Sequence, residues 1–133
     1  MLKGPGKSRN QKGALPRAPF DEMKRAILGA RYELSYGAIS AAKARVLNKK
    51  YRKKSYVPDV LAFPLSASEG EIVLNTRALA REAKVRGVSV SAYTAYIFIH
   101  ACLHLKGWGH GIEMTKQEAK YLKKFQIKDM SVL

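Results

Sequence analysis

The sequence predicts one small α/β or α+β domain behind a basic N-terminal arm. A chain of 133 residues with 47% apolar content is long enough for one hydrophobic core and too short for two domains joined by a linker. Segments whose apolar residues recur at helical spacing alternate with short stretches rich in β-branched residues, and turn-forming residues separate them. No internal repeat or low-complexity core interrupts that alternation.

Residues 1 to 18 hold five basic residues and no acidic one, with nothing apolar recurring, which predicts a flexible basic arm. The folded domain is expected over 19–133. Phe20, Met23, Ile27 and Leu28 define the inner face of a first helix over about 19–29. Tyr32 to Ile39 alternates weakly, as a strand would. Ser40 can cap a second helix that turns Ala44, Leu47 and Tyr51 to one side and Arg45, Lys49 and Arg52 to the other. Tyr56 to Phe63 reads as a strand broken by Pro58, which has no amide hydrogen to give a ladder. Pro64 to Gly70 reads as a connection, and Glu71 to Asn75 as a compact strand. Thr76 can cap a short helix that ends near Gly87, a residue suited to the left-handed position after a helix. Val88 to Leu105 is uncharged and too long for a strand, which predicts a helix from about Ser91. Gly107 and Gly109 allow the chain to turn. Thr115-Lys-Gln-Glu118 matches a capping box and predicts a last helix that directs Ala119, Leu122 and Phe125 inward.

Lys and Arg outnumber Asp and Glu by 25 to 10, and the excess is concentrated early: residues 1–60 carry net +11 and residues 61–133 net +4. A field of that sign favours a polyanion, because counterions released from phosphates drive binding without regard to sequence. Nucleic acid is the first expectation, ahead of an anionic membrane surface or a merely solvated face. The longest strongly apolar run, Ala92 to Leu105, is too short to span a bilayer, no secretion segment is evident, and a cytoplasmic location is expected. Cys102 is the only cysteine, so no intramolecular disulfide framework exists.

The three histidines of the chain fall within eleven residues, as His100-x3-His104-x5-His110. Residues four apart stack on one helix face, so His100 and His104 can aim at one ion, and a turn after Gly107 can bring His110 back to them. Three histidines with a fourth position open suit a catalytic zinc more than a structural one, which takes four protein ligands. The plainer reading makes His100 and His104 core residues satisfied by backbone carbonyls and His110 an ordinary loop residue. Cys102, two positions from either helical histidine, should point away. A bound ion would polarise water and bring its pKa toward neutrality for attack on phosphorus or a carbonyl carbon. The basic surface favours the phosphodiester, and the glutamate of H-E-x-x-H metalloproteases is missing. Glu71 and Glu113 are the candidate acidic helpers.

Six of the ten residues from Arg45 to Lys54 are basic. Arg45, Lys49, Lys50, Arg52, Lys53 and Lys54 are candidate RNA contacts, arginine being able to grip phosphate with two bonds. Lys106, next to the histidines in sequence, is a further candidate. Tyr51 suits core packing better than base stacking.

Those residues carry a resemblance. His100-Ala-Cys-Leu-His104-Leu-Lys-Gly-Trp-Gly-His110 resembles the H-G-x-L-H-L-x-G-Y-D-H motif of the YbeY family of metal-dependent ribosomal RNA maturation endoribonucleases. Leu47-Asn48-Lys-Lys-Tyr51-Arg52 and Pro58-Asp59-Val60-Leu61-Ala62-Phe63-Pro64 are similar to the family's Leu-Asn-x-x-Tyr-Arg and Thr-Asp-Val-Leu-Ser-Phe-Pro segments, and Gly70-Glu71-Ile72-Val73 to its Gly-Asp/Glu-Ile strand. The matches span about residues 40–125. The resemblance implies a single α/β domain with a small mixed sheet flanked by helices, and one Zn2+ ion on His100, His104 and His110. It also implies that Arg52 stabilises RNA phosphate. The implied process is maturation of the 16S rRNA 3′ end and ribosome quality control, with precursor 16S rRNA and the small ribosomal subunit as partners.

Besides the conservative Trp108 in place of the family's Tyr, four positions depart from the family pattern. The aspartate before the third histidine is Gly109, the glycine after the first is Ala101, and the Thr and Ser of the proline-terminated segment are Pro58 and Ala62. Gly109 removes a residue that could orient a ligand or move a proton, a role that Glu113 is a candidate to take over. Three functions therefore compete. A metal-dependent endoribonuclease is favoured by the intact ligand spacing, a noncatalytic ribosome-associated RNA-binding factor with a structural or vestigial metal by Gly109. A metallohydrolase of small phosphorylated or acyl substrates would bind them without marked salt dependence.

Overall fold

A computed structural model describes residues 15–128. The elements run α1 (Phe20–Leu28), β1 (Glu33–Ala38), α2 (Ala41–Arg52), β2 (Val60–Ser66), β3 (Glu69–Leu74), α3 (Thr76–Arg86), α4 (Val90–Lys106) and α5 (Ile112–Lys124). This is the single domain with a small mixed sheet flanked by helices. The strand order is β1-β3-β2, with β1 parallel to β3 and β2 antiparallel to it. Of the arm expected over residues 1–18, residues 1–14 lie outside the described residues, and Leu15 and Ala18, at its end, pack against the core.

The sheet divides the buried side chains into two sets. Alternate residues of a strand face opposite sides, so Ile72 and Leu74 of β3 join Phe20, Met23, Ile27 and the inner residues of α4. Val73, between them, packs with Ile39, Ala44, Leu61 and Phe63 beneath α2. Tyr51 follows the core-packing expectation, its ring edge-on to Phe63 at 5.5 Å. Helix α4 is the hub. Nine of its residues from Tyr93 to Leu103 are buried, and it packs against α1, α3, α5 and the sheet, which explains why it is apolar around its circumference rather than on one face. Phe98, fully buried, meets Phe20 and Tyr36 at ring distances of 4.9 and 5.2 Å. Cys102 is buried in this core, as its position two residues from each helical histidine implied, and burial pushes its thiol well above the usual range.

Ser40 caps α2 by accepting from the Lys43 amide, and Gly87 ends α3 in the left-handed conformation. Elsewhere local signals were outweighed. The cap of α3 is Asn75, not Thr76: its side-chain oxygen accepts from the Ala78 amide while its Nδ2 donates to the Pro58 carbonyl. One buried amide thus serves a helix and a loop together. The expected connection from Pro64 to Gly70 is mostly strand, with β2 running to Ser66 and β3 starting at Glu69. Pro64 is accommodated because β2 is an edge strand with a register irregularity between Pro64 and Ser66. Helix α5 begins at Ile112, three residues before the expected box, so Thr115 lies inside it and its hydroxyl donates to the Gly111 carbonyl. The inward residues are consequently Met114, Glu118 and Tyr121; Leu122 and Phe125 pack at the core margin, and Ala119 is exposed.

Replacing Phe98 by Ala removes the ring on which Phe20 and Tyr36 converge. The expected loss is about 3–5 kcal/mol, measurable as a lowered midpoint in chemical denaturation with an unchanged m-value.

Candidate metal centre

Helix α4 ends in a turn that assembles the site. Gly107 adopts φ 112° and donates to the His104 carbonyl, while the Trp108 amide donates to the Leu103 carbonyl. This pair of bonds is a Schellman closure, which depends on a residue free to take a positive φ. It reverses the chain and holds Trp108 at the core edge. The Trp108 carbonyl then accepts from His104 Nδ1 at 3.1 Å, and His110 returns to the two helical histidines.

One donor atom from each of His100, His104 and His110 lies within 4.8 Å of the others. The Nε2 atoms of His100 and His104 are 3.0 Å apart, near the separation of about 3.3 Å for two nitrogens on a tetrahedral zinc. Their Nδ1 atoms are otherwise engaged. His104 Nδ1 is held by the Trp108 carbonyl, and His100 Nδ1 by Glu118 Oε2. Each ring is thereby turned so that Nε2 presents its lone pair to the cluster. The donor set, its spacing and its outer hydrogen bonds all fit a metal ion. Burial, reinforced by His100 and His110, pushes the His104 imidazole below its ordinary range, which keeps the nitrogen unprotonated.

Glu118 is the candidate site residue that the sequence hid. It is 7% exposed on the inner face of α5 and also interacts with the Tyr96 hydroxyl, whose pKa rises through desolvation and this negative neighbour. Its match to a capping box masked the role, although an acidic residue between Met114 and Tyr121 on a buried stripe is the signal that marks it. Glu113, the expected acidic helper, is exposed and faces Lys116 at 3.6 Å. The carboxylate brought to the histidines is Glu118 rather than Glu113. Glu71 is buried in β3 on the α2 side of the sheet, the side of Val73.

The histidines line a cavity of about 760 Å³ together with Arg52, Tyr56, Asp59, Arg81 and Glu82 and an apolar wall that includes Val60 and Ala62. Burial raises the Asp59 carboxyl above its usual range, against stabilising amide hydrogen bonds from Asp59 and Val60. Glu82 pairs with Arg86 at 2.8 Å. Arg81 and Asp59 were not among the expected site residues. Of the expected RNA contacts, Arg52 lines this cavity. Arg45 is exposed and donates to the Ser55 carbonyl. Lys49, Lys50, Lys53 and Lys54 are exposed on α2 or just after it, with Lys50 over the Tyr51 ring, and Lys106 lines a separate hollow with Leu28 and Tyr32. Three departures from the family pattern, Pro58, Ala62 and Ala101, line the cavity. At the fourth, Gly109, an added Cβ meets nothing within 4 Å. Among the described residues no single helix is long and apolar enough to cross a membrane.

Comparison with known proteins places this geometry in context. A family profile described as Endoribonuclease YbeY matches residues 14–131. The chain is 33% identical over 112 residues to Endoribonuclease YbeY of Paraburkholderia phytofirmans, covering 80% of this chain and 73% of that one. It is 30% identical over 109 residues to the protein of the same name from Albidiferax ferrireducens, covering 80% and 74%. Among solved structures, the solution structure of TM1509 from Thermotoga maritima superposes with a TM-score of 0.59 at 21% identity, over 97% of this chain and 93% of that one. That likeness is one of fold.

Glu118→Ala should weaken metal binding about 10- to 100-fold, as loss of an outer hydrogen bond to a ligating histidine does, with Glu118→Gln intermediate; competition with a chromophoric chelator measures this. In metal-free protein His104 should titrate below 6.5, read by NMR. Because the unfolded chain protonates this residue first as pH falls through 6.5, metal-free protein should lose stability over that window.

Proposed function

The chain belongs to the Endoribonuclease YbeY family, and on that premise we propose that it is a metal-dependent endoribonuclease that hydrolyses RNA phosphodiester bonds. The observation that carries the reading is the convergence of three histidine nitrogens, two with their second ring nitrogen anchored, in a cavity lined by Arg52. His100, His104 and His110 would hold a single Zn2+. The ion supplies Lewis acidity and brings the pKa of water toward neutrality.

The protein's own groups do the remaining work. Glu118 keeps His100 oriented. Arg52 and Arg81 offer guanidinium groups to phosphate, and among the described residues neither forms an ion pair, so both are available to counter charge that builds on phosphorus oxygens. Asp59, steadied by two backbone amides and raised by burial, is the carboxyl group best suited to pass a proton to the leaving oxygen. The exposed cations of α2 would hold the strand on either side. Maturation of the 16S rRNA 3′ end in the cytoplasm, with the small ribosomal subunit presenting the RNA, is the process we assign. Gly109 favours a second reading, a noncatalytic RNA-binding factor of the ribosome that keeps its metal.

The test is cleavage of a precursor 16S rRNA 3′ segment with metal content quantified. His104→Ala should lose both ion and cleavage. Arg52→Ala should lose at least tenfold in turnover, roughly the effect of removing one transition-state charge contact, while retaining the ion; equal loss of both would reject its contact with substrate. Gly109→Asp, which has open space around it, should leave the melting temperature unchanged and raise cleavage several-fold. Stoichiometric metal with no cleavage, even with small subunits present, would favour the noncatalytic factor.

A further inference from the structure

The segment that closes one side of the cavity, residues 53–59, has neither helix nor strand, yet three side chains, two from α2 and one from the cap of α3, pin its backbone. Arg45 Nε donates to the Ser55 carbonyl at 3.1 Å, Asn48 Nδ2 to the Tyr56 carbonyl at 3.0 Å and Asn75 Nδ2 to the Pro58 carbonyl at 3.2 Å. Asn48 and Asn75 are themselves buried at 0% and 1% exposure. Such anchoring would ordinarily serve to bury the segment's apolar residues. Pro58 is buried, but Tyr56 and Val57 are presented instead: they are 53% and 43% exposed, and both line the cavity. Among the described residues the Tyr56 ring has no aromatic or cationic partner.

We propose that Tyr56 is a nucleobase platform: a base of the bound RNA stacks on its ring, against the apolar wall of Val57 and Pro58, while phosphates of the same strand reach Arg52 and Arg81. The inference rests on the RNA-cleaving reading of this cavity and adds to it the residue that selects how the strand is seated. Three features favour a base over an apolar protein side chain. The ring shares its cavity with two arginines that form no ion pair among the described residues, the chain carries net +15, and the metal-binding histidines lie in the same cavity. An anionic polymer with a flat face on every repeat matches all three. A tyrosine held by its backbone gives that face a rigid partner with few torsions to immobilise. Purines, with the larger π-surface, should be preferred at this position.

The test uses the zinc-loaded full chain and two uncleavable 2′-O-methyl strands of equal length and charge, an oligoadenylate and its counterpart with abasic residues at the centre, followed by fluorescence anisotropy. Tyr56→Ala should weaken the oligoadenylate about tenfold, Tyr56→Phe should restore the affinity, and the abasic strand should be insensitive to either change. An unchanged affinity in Tyr56→Ala, an equal loss on both strands, or no binding of either strand by wild type would overturn the platform. Base-dependent binding through Tyr56 without cleavage of ordinary RNA would count against the nuclease reading alone. Cleavage unaltered in rate and position by Tyr56→Ala would count against the platform alone.

Discussion

Helix α4 has no polar face to turn toward water, and the rest of the structure follows from the need to enclose it. Each fully buried Leu, Ile or Phe is stabilised by roughly 1.5–3 kcal/mol relative to exposure, and α4 offers such residues in several directions. Helix α1, helix α5 and the sheet supply the covering surfaces. His100 and His104 occupy the last two turns, where enclosure gives out and the cavity begins, and His110 reaches them from the exposed segment beyond. The two helical histidines are neither core nor surface, a position that leaves the His104 nitrogen unprotonated and still reachable. The covering of α4 by α5 also carries Glu118 to His100, so one packing arrangement both closes the core and orients a candidate metal ligand.

The same economy holds at the end of α4. The turn at Gly107 satisfies helix carbonyls, buries part of Trp108, lends the Trp108 carbonyl to His104 and returns His110. Across the cavity, Asn75 caps α3 and also fixes the loop that carries Asp59. Positions of side chains around the site are thus set by backbone features that stability would demand in any case.

This division explains what was legible in the sequence. Periodicity and length identified α1, α2 and α4, and the caps at Ser40 and Gly87 were read from single residues because a helix end is a local affair. The histidine spacing was legible for the same reason: i and i+4 on a helix, then a glycine turn. Glu118 was not, since its task depends on how α5 docks on α4, whereas the Thr115-x-x-Glu118 pattern answered a local question with the wrong location. Pro64 misled in a similar way, because whether a proline fits a strand depends on whether that strand lies at an edge. Arg81 and Asp59 lie 22 residues apart in sequence and meet in one cavity only through the packing of α3 and the loop before β2. The departures at Pro58, Ala62 and Ala101, scattered in sequence, gather around that cavity, where they leave a more apolar wall beside the histidines.

The most direct test titrates metal-free protein with Zn2+ and follows ion binding and RNA cleavage in the same samples. Cleavage that rises in proportion to occupancy, breaks at one ion per chain and disappears with His110→Ala is the expected result. Full occupancy of a one-ion site without cleavage at any point of the titration would contradict a catalytic centre on these three histidines.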